Sequence, residues 1–241
     1  MDLATKIQTT LLPEDGTYGD YEVAATMRPA EQVGGDYYDM FEAHGRLWVL
    51  IGDVSGHGVS AGLIMMMAQT AVRTLLWQPD GNTISPAELL ACVNRALCSN
   101  LGRIGRGQYM TITALCFEKG SFQYAGLHLD PLVYRAATGQ VERLESSGVW
   151  LGVVDDAREC LSNDSAELGP EDILLLYTDG LSEARRDGQL VQLDWVEHCL
   201  VEAGQQQESC RRLVHRVFAG LSGAVCKDDV TVLALRRMLK R

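Results

Sequence analysis

Apolar residues recur every four positions at the start of the chain. Leu3, Ile7 and Leu11, with Ala4 beside them, predict a short helix with one apolar stripe. Pro13 ends it, and PEDGTYGD has the composition of a loop. Alternation then takes over. YEVAATMRP predicts a strand, and GDYYDMFEA and GRLWVLIGDV flank a turn at His44-Gly45, which predicts adjacent antiparallel strands. Helical periodicity returns from Ser60 to Trp77 and from Pro86 to Leu101, the second run with Ser85 as N-cap and Pro86 at its first position. Strands resume in MTITALCFE, SFQYAG, LVYRAA and QVERLE, with the turns EKGS and ATGQ marking hairpins. DILLLYTDG is a short, continuously apolar strand ending in an acid. Helices are expected over Leu193 to Ala203 and Glu208 to Leu221, and DVTVLALRR is a last strand.

The order is strands, two helices, strands, two helices, strand. Helices do not alternate regularly with strands, which disfavours a doubly wound parallel sheet. The expected class is α+β, a sandwich of two mainly antiparallel sheets covered by helices on both outer faces. The chain has 241 residues, enough for one large domain or two small ones. The expected division is a helix over 1–12, acting as linker or regulator, and a single catalytic domain over 13–241.

Composition narrows the partners. Hydrophobic residues make up 46% and charged residues 22%, as in an ordinary globular protein, but the formal net charge is -11. So acidic a surface repels phosphate backbones and anionic lipid, so neither nucleic acid nor direct membrane insertion is expected. The most apolar helix candidate carries Gln69, Thr70, Arg73 and Thr74 and is read as a core helix too polar to cross a bilayer. The N-terminal residues include acids and lack an apolar signal core. Seven cysteines, an odd number with no C-x-x-C pair, lie mostly in apolar runs; buried free thiols in a reducing, cytoplasmic compartment are expected.

Candidate chemistry centres on DVSGHGVSAG, Asp53 to Gly62. Gly58 to Gly62 is formally G-x-S-x-G, the pattern of a serine nucleophile on a strand-to-helix turn. Such a hydrolase also needs a downstream acid and histidine. Asp130, His128, His198 and His215 are available, but none has a marking context. The competing reading starts from four acids beside hydrophobic strands: Asp36 in VGGDYYD, Asp53 in LWVLIGD, Asp179 in ILLLYTD and Asp228 in DDVTVLALR. Carboxylates gathered near a core are costly unless cations neutralise them, and hard divalent ions take such oxygen ligands. Two ions bridged by one acid activate water and stabilise a phosphoryl transition state. Taken singly, each acid is equally a turn former or helix cap.

VGGDYYDMF, GDVSGHGVSAG, LYTDGLSEA and DDVTVLAL occur in this order and resemble the signature of the protein phosphatase 2C-like (PPM) superfamily, SpoIIE type: bacterial serine/threonine phosphatases of sporulation and stress signalling. IQTTLLP resembles the helix preceding this domain in the family. The resemblance implies an α-β-β-α sandwich with a two-metal centre, Mn²⁺ or Mg²⁺, between the sheets. It implies that Asp53 bridges both ions, that the carbonyl of Val54 binds one, that Asp179 and Asp228 hold the other, and that Asp36 binds directly or through water. Asp229 is secondary. Gly34, Gly35, Gly56 and Gly58 let the backbone turn closely. Ser60 then becomes a helix cap, and the attacking group a metal-activated water.

The implied substrate is a phosphorylated regulatory protein, a STAS-type anti-sigma factor antagonist. An upstream sensor or receiver domain and a homodimer formed through the N-terminal helix are further implied partners. His57 is a candidate acid for the leaving oxygen, against a plain loop histidine, and Arg28 a candidate fork donor to phosphate. Relatives carry AGHNPP where this chain has AGLHLDP, so the loop at His128 differs. GGDYY lacks the glutamate of the diguanylate cyclase GGDEF. A different class stays open: a catalytically silent phosphatase-like module that sequesters a signalling partner.

Overall fold

The computed structural model describes residues 3–79, 83–104, 107–191 and 193–239. The elements run α1 Leu3–Leu11, β1 Gly16–Tyr18, β2 Tyr21–Arg28, β3 Tyr37–Ala43, β4 Arg46–Val54, α2 Val59–Leu76, α3 Pro86–Ile104, β5 Met110–Glu118, β6 Ser121–Ala125, β7 Leu132–Arg135, β8 Gln140–Arg143, β9 Asp164–Glu167, β10 Ile173–Tyr177, α4 Asp179–Ser182, β11 Arg185–Arg186, β12 Gln189–Leu190, α5 Asp194–Gln205, α6 Cys210–Gly220 and β13 Val230–Arg237. The expected α+β class with two antiparallel sheets is present. The chain divides into two compact units: Met1–Pro13, Glu31–His128 and Ser146–Ala166 in the first; Glu14–Ala30, Leu129–Glu145 and Glu167–Arg241 in the second.

The first unit holds a sheet in the order β3-β4-β5-β6-β9. β4 and β5 are central, and their runs LWVLI and ITALCF are buried on both faces, which explains why they read as continuous apolar stretches rather than alternating ones. One face packs on α2 and α3. Trp48, Leu50, Val54, Met110, Ile112 and Ala114 point into that layer, so Asp53 and Thr111, at odd positions of the same strands, belong to the opposite face. α3 starts in a capping box: the Glu88 carboxylate accepts from the Ser85 N–H at 2.9 Å and from its hydroxyl at 2.8 Å, while Ser85 Oγ accepts from the Glu88 N–H at 3.4 Å. α2 has a mean hydropathy of 1.4 over its 18 residues, long and apolar enough to cross a membrane, contrary to the reading of it as too polar. Ala61, Ile64, Met65, Ala68, Val72 and Leu76 place it in this unit's core.

The second unit holds a sheet in the order β1-β2-β13-β10-β7-β8. Its helix-facing side chains, among them Ala24, Leu132, Leu175, Val230 and Val232, pack on α5 and α6. Short elements that the hydrophobic pattern did not predict are β1, β9, α4 and the β11–β12 hairpin. DSAE in β9 and DGLS in α4 are polar and four residues long. They exist because tertiary neighbours satisfy their backbones, and a four-residue segment carries no readable period.

Candidate metal and phosphate site

In the first unit the segment Gly34-Gly35-Asp36 lies against the end of β4. A Cβ placed on Gly35 would lie 2.9 Å from the Val54 carbonyl oxygen and 3.2 Å from Asp53 Oδ1, so a bare Cα at 35 keeps open a point that both oxygens approach. The Val54 N–H donates to the Gly35 carbonyl at 3.3 Å, which fixes the two segments together. Asp36 is almost fully buried and lines a small cavity with Gln8, Leu11, Met65 and Gln69. Gln8 itself is buried and hydrogen-bonded to Gly34. The N-terminal helix therefore rests on the turn that carries Asp36.

The loop after β4 turns at Gly56 and Gly58, with φ of 88° and 78°. These are left-handed values that side chains disfavour. His57 Nδ1 lies 2.6 Å from the Glu31 carboxylate, with both side chains exposed. Ser60 is not the helix cap expected of it. Gly58 occupies that position, α2 begins at Val59, and Ser60 Oγ donates to Gln108 Oε1 at 3.2 Å. The hydroxyl is drawn to β5's approach instead of back to the helix's own N–H groups. Thr111 Oγ1 donates to the Asp53 carbonyl at 3.3 Å and lies 2.9 Å from His128 Nδ1. His128 is a neighbour of Asp53 that its sequence context did not reveal.

In the second unit Asp179 opens α4, two residues beyond the end of β10. Its Oδ1 is buried and accepts no hydrogen bond from the described residues. Burial, then the charges of Asp228 and Glu183, push its carboxyl up to about 6, while the N–H groups of Gly180 and of Asp179 itself pull the other way. Asp228 accepts the Asp229 N–H at 2.9 Å. Asp229 is buried, and its Oδ1 accepts the Ala30 N–H at 2.6 Å, tying the start of β13 to the chain leaving β2. Gly180 is needed there, since a Cβ would fall 2.0 Å from the Asp229 carbonyl oxygen. Arg28 pairs with Val230 in the sheet, and its guanidinium lies 5.0 Å from the Phe218 ring of α6. So Asp53 and Val54 stand together in one unit and Asp179 and Asp228 in the other. Among the described residues no group of three or more His, Cys, Asp or Glu side chains gathers to hold a metal ion.

The SpoIIE family, Stage II sporulation protein E, matches residues 43–238, well over half of the chain. The chain belongs to this family. Phosphoserine phosphatase RsbU of Bacillus subtilis (strain 168) is 26% identical over 247 residues, covering 98% of this chain and 70% of RsbU. Of two further curated relatives the chain spans only 38% and 45% of their length. Among solved structures, the SiaA-PP2C domain of Pseudomonas aeruginosa superimposes with a TM-score of 0.80 at 22% identity, over 97% of this chain and 94% of that one. The catalytic domain of the serine/threonine phosphatase PstP, in complex with two manganese ions, gives a TM-score of 0.68 at 18% identity, over 91% and 99%. The fold is that of the PP2C phosphatases, and the chain is a phosphatase-type hydrolase domain.

Proposed function

We propose that this SpoIIE-family domain is a metal-dependent phosphatase acting on phosphoserine or phosphothreonine of a regulatory protein, a STAS-type anti-sigma factor antagonist. The observation that carries the reading is Asp179. A buried carboxylate oxygen with no hydrogen-bond donor among the described residues, beside a second carboxylate, is expensive to keep unless a cation completes it. The opening at Gly35 between the Val54 carbonyl and Asp53 Oδ1 supports the same reading. All these donors are hard oxygens, the set that Mn²⁺ and Mg²⁺ accept. Asp53 and the Val54 carbonyl, and Asp179 with Asp228, are the groups assigned to two divalent cations. Asp36 is assigned direct or water-mediated binding, and Asp229 a supporting place. Bound divalent cations supply Lewis acidity, acidifying a water and neutralising phosphate charge.

The chain's own groups do the rest. His57, oriented at Nδ1 by Glu31, protonates the leaving seryl or threonyl oxygen. Arg28, whose guanidinium lies over the Phe218 ring, is assigned to the phosphate as a fork donor. The exposed stripe of Leu3, Ile7 and Leu11 on α1 takes a second copy of the helix or an upstream sensor or receiver domain. Seven free thiols suit a cytoplasmic setting.

Release of inorganic phosphate from a phosphoserine protein tests the reading. Release in Mn²⁺ or Mg²⁺, lost with chelator and restored by added metal, is the expected result. Chelator-resistant release blocked by a serine-directed phosphonate overturns it.

A further inference from the structure

Tyr109 and Trp150 are stacked, with ring centroids 4.5 Å apart and planes 12° from parallel. Two neighbouring contacts produce the stack. Met110 and Leu151 exchange backbone hydrogen bonds at 2.9 and 2.8 Å in an isolated antiparallel bridge, which brings the 150–152 segment alongside the start of β5. Gly152, at φ 92°, allows the close approach, since a Cβ there would lie 2.6 Å from Leu101 Cδ1.

Tyr109 is in turn fixed to the loop that follows Asp53. Its carbonyl accepts the Ser55 N–H at 2.8 Å, and its own N–H donates to Ser55 Oγ at 2.9 Å. Tyr109 directly precedes β5, and the strand's alternation carried back by one residue sets it on the side of Thr111, the register partner of Asp53, and opposite to Met110, which enters the helix layer. Despite the stacking, Trp150 stays 43% exposed, and Val153 beside it is 58% exposed.

We infer that the Tyr109–Trp150 stack is a specificity-determining subsite, receiving an apolar side chain of the phosphoprotein segment that carries the phosphorylated residue. The inference rests on the phosphatase reading above. Distance selects the occupant. Ser55 is two residues beyond Asp53, just past the end of β4, so at most about 7 Å away at about 3.3 Å per extended residue. An extended peptide advances by a similar step, so with its phosphate near Asp53 the side chain over the stack is one to three residues from the phosphoserine. Paired aromatic faces are rigid and offer broad apolar contact at little conformational cost. They favour leucine or phenylalanine there over glycine or an acid.

The test uses two phosphoserine peptides of equal length, one with leucine at the three positions on each side and one with glycine. Phosphate release in Mn²⁺ and calorimetric binding are measured on both. Parent protein is expected to favour the leucine peptide about tenfold in kcat/KM, through KM. Trp150→Ala should erase that preference while leaving kcat on the glycine peptide within about twofold, and Trp150→Phe, which keeps a ring over Tyr109, should retain most of it. Equal handling of the two peptides by the parent, or an undiminished preference in a folded Trp150→Ala, overturns the subsite. Binding preference without phosphate release sinks the phosphatase reading and leaves the subsite standing. A fall in molar mass of Trp150→Ala by light scattering, with peptide preference unchanged, assigns the stack to contact between copies and overturns the inference.

Discussion

Gln8 and Gly34 exchange two hydrogen bonds: Gln8 Nε2 donates to the Gly34 carbonyl at 2.9 Å, and the Gly34 N–H donates to Gln8 Oε1 at 3.0 Å. One side chain thereby satisfies both backbone groups of a residue two positions before Asp36. Gln8→Leu leaves a buried donor and acceptor unmet, each costing about 1–3 kcal/mol. Stability to urea should fall by about 2 kcal/mol, and amides of α1 and of residues 34–36 should exchange faster. Unchanged exchange in both segments would show that the pair does not hold α1.

The outer face of α1 makes a separate prediction. Leu3, Ile7 and Leu11 are exposed, and a nine-residue helix has little stability of its own. Changing Ile7 and Leu11 to Asp should alter oligomeric state or phosphatase turnover while the core stays folded. A double variant matching the parent in molar mass, metal affinity and turnover makes the helix a tether only.

Arg73 of α2 reaches a buried carboxylate, Asp39 of β3, from a side chain that is itself 29% exposed. Nε and Nη2 of Arg73 donate to the two Asp39 oxygens at 2.8 and 2.7 Å, and Asp39 is 0% exposed. The guanidinium also lies over Phe41 and Trp77. Arg73→Met strands a buried charge and should cost about 3–5 kcal/mol in chemical denaturation, whereas Arg73→Met with Asp39→Leu should recover most of that loss. Equal losses in the single and double variants would locate the effect in packing instead of charge.

Asp53→Asn and Asp228→Asn keep side-chain shape while removing charge. Phosphatase turnover should drop by at least about a hundredfold in each, with circular dichroism unchanged, a loss of about 2.7 kcal/mol or more in transition-state stabilisation. Ser60→Ala removes only a hydrogen bond to Gln108 and should stay within a few-fold of the parent. A dead Ser60→Ala that still binds two ions would restore the serine-nucleophile reading.

Thiol reactivity should follow burial. All seven cysteines are free, but only Cys116 and Cys210 are buried, which corrects the expectation of a mostly buried set. Burial pushes the Cys116 thiol up to about 11 and raises Cys210 as well, so both are scarcely ionised at pH 8. Exposed Cys92 and Cys160 should be alkylated within minutes by iodoacetamide, and Cys116 and Cys210 only after unfolding. Mass mapping of the labelled peptides decides it.

The sequence by itself determined what depends on neighbours along the chain. Apolar spacing gave α1, α2, α3 and the buried strands β4, β5, β10 and β13, because a residue's period sets which face it can bury. Ser85 and Pro86 announced the start of α3, and the ordered acid motifs carried the family. Tertiary structure decided what depends on residues distant in sequence. Gly58 displaced Ser60 from the cap because Gln108, 48 residues away, bonds the hydroxyl. β9 is a strand through its place beside β6, with a polar sequence that has no strand signal of its own. Gln8 on Gly34, Arg73 on Asp39 and Trp150 on Tyr109 join positions 26, 34 and 41 residues apart. No local pattern encodes such pairs. They form only when packing has excluded water from the polar groups or brought the rings together, and a buried group must then find whatever partner the fold has placed within reach.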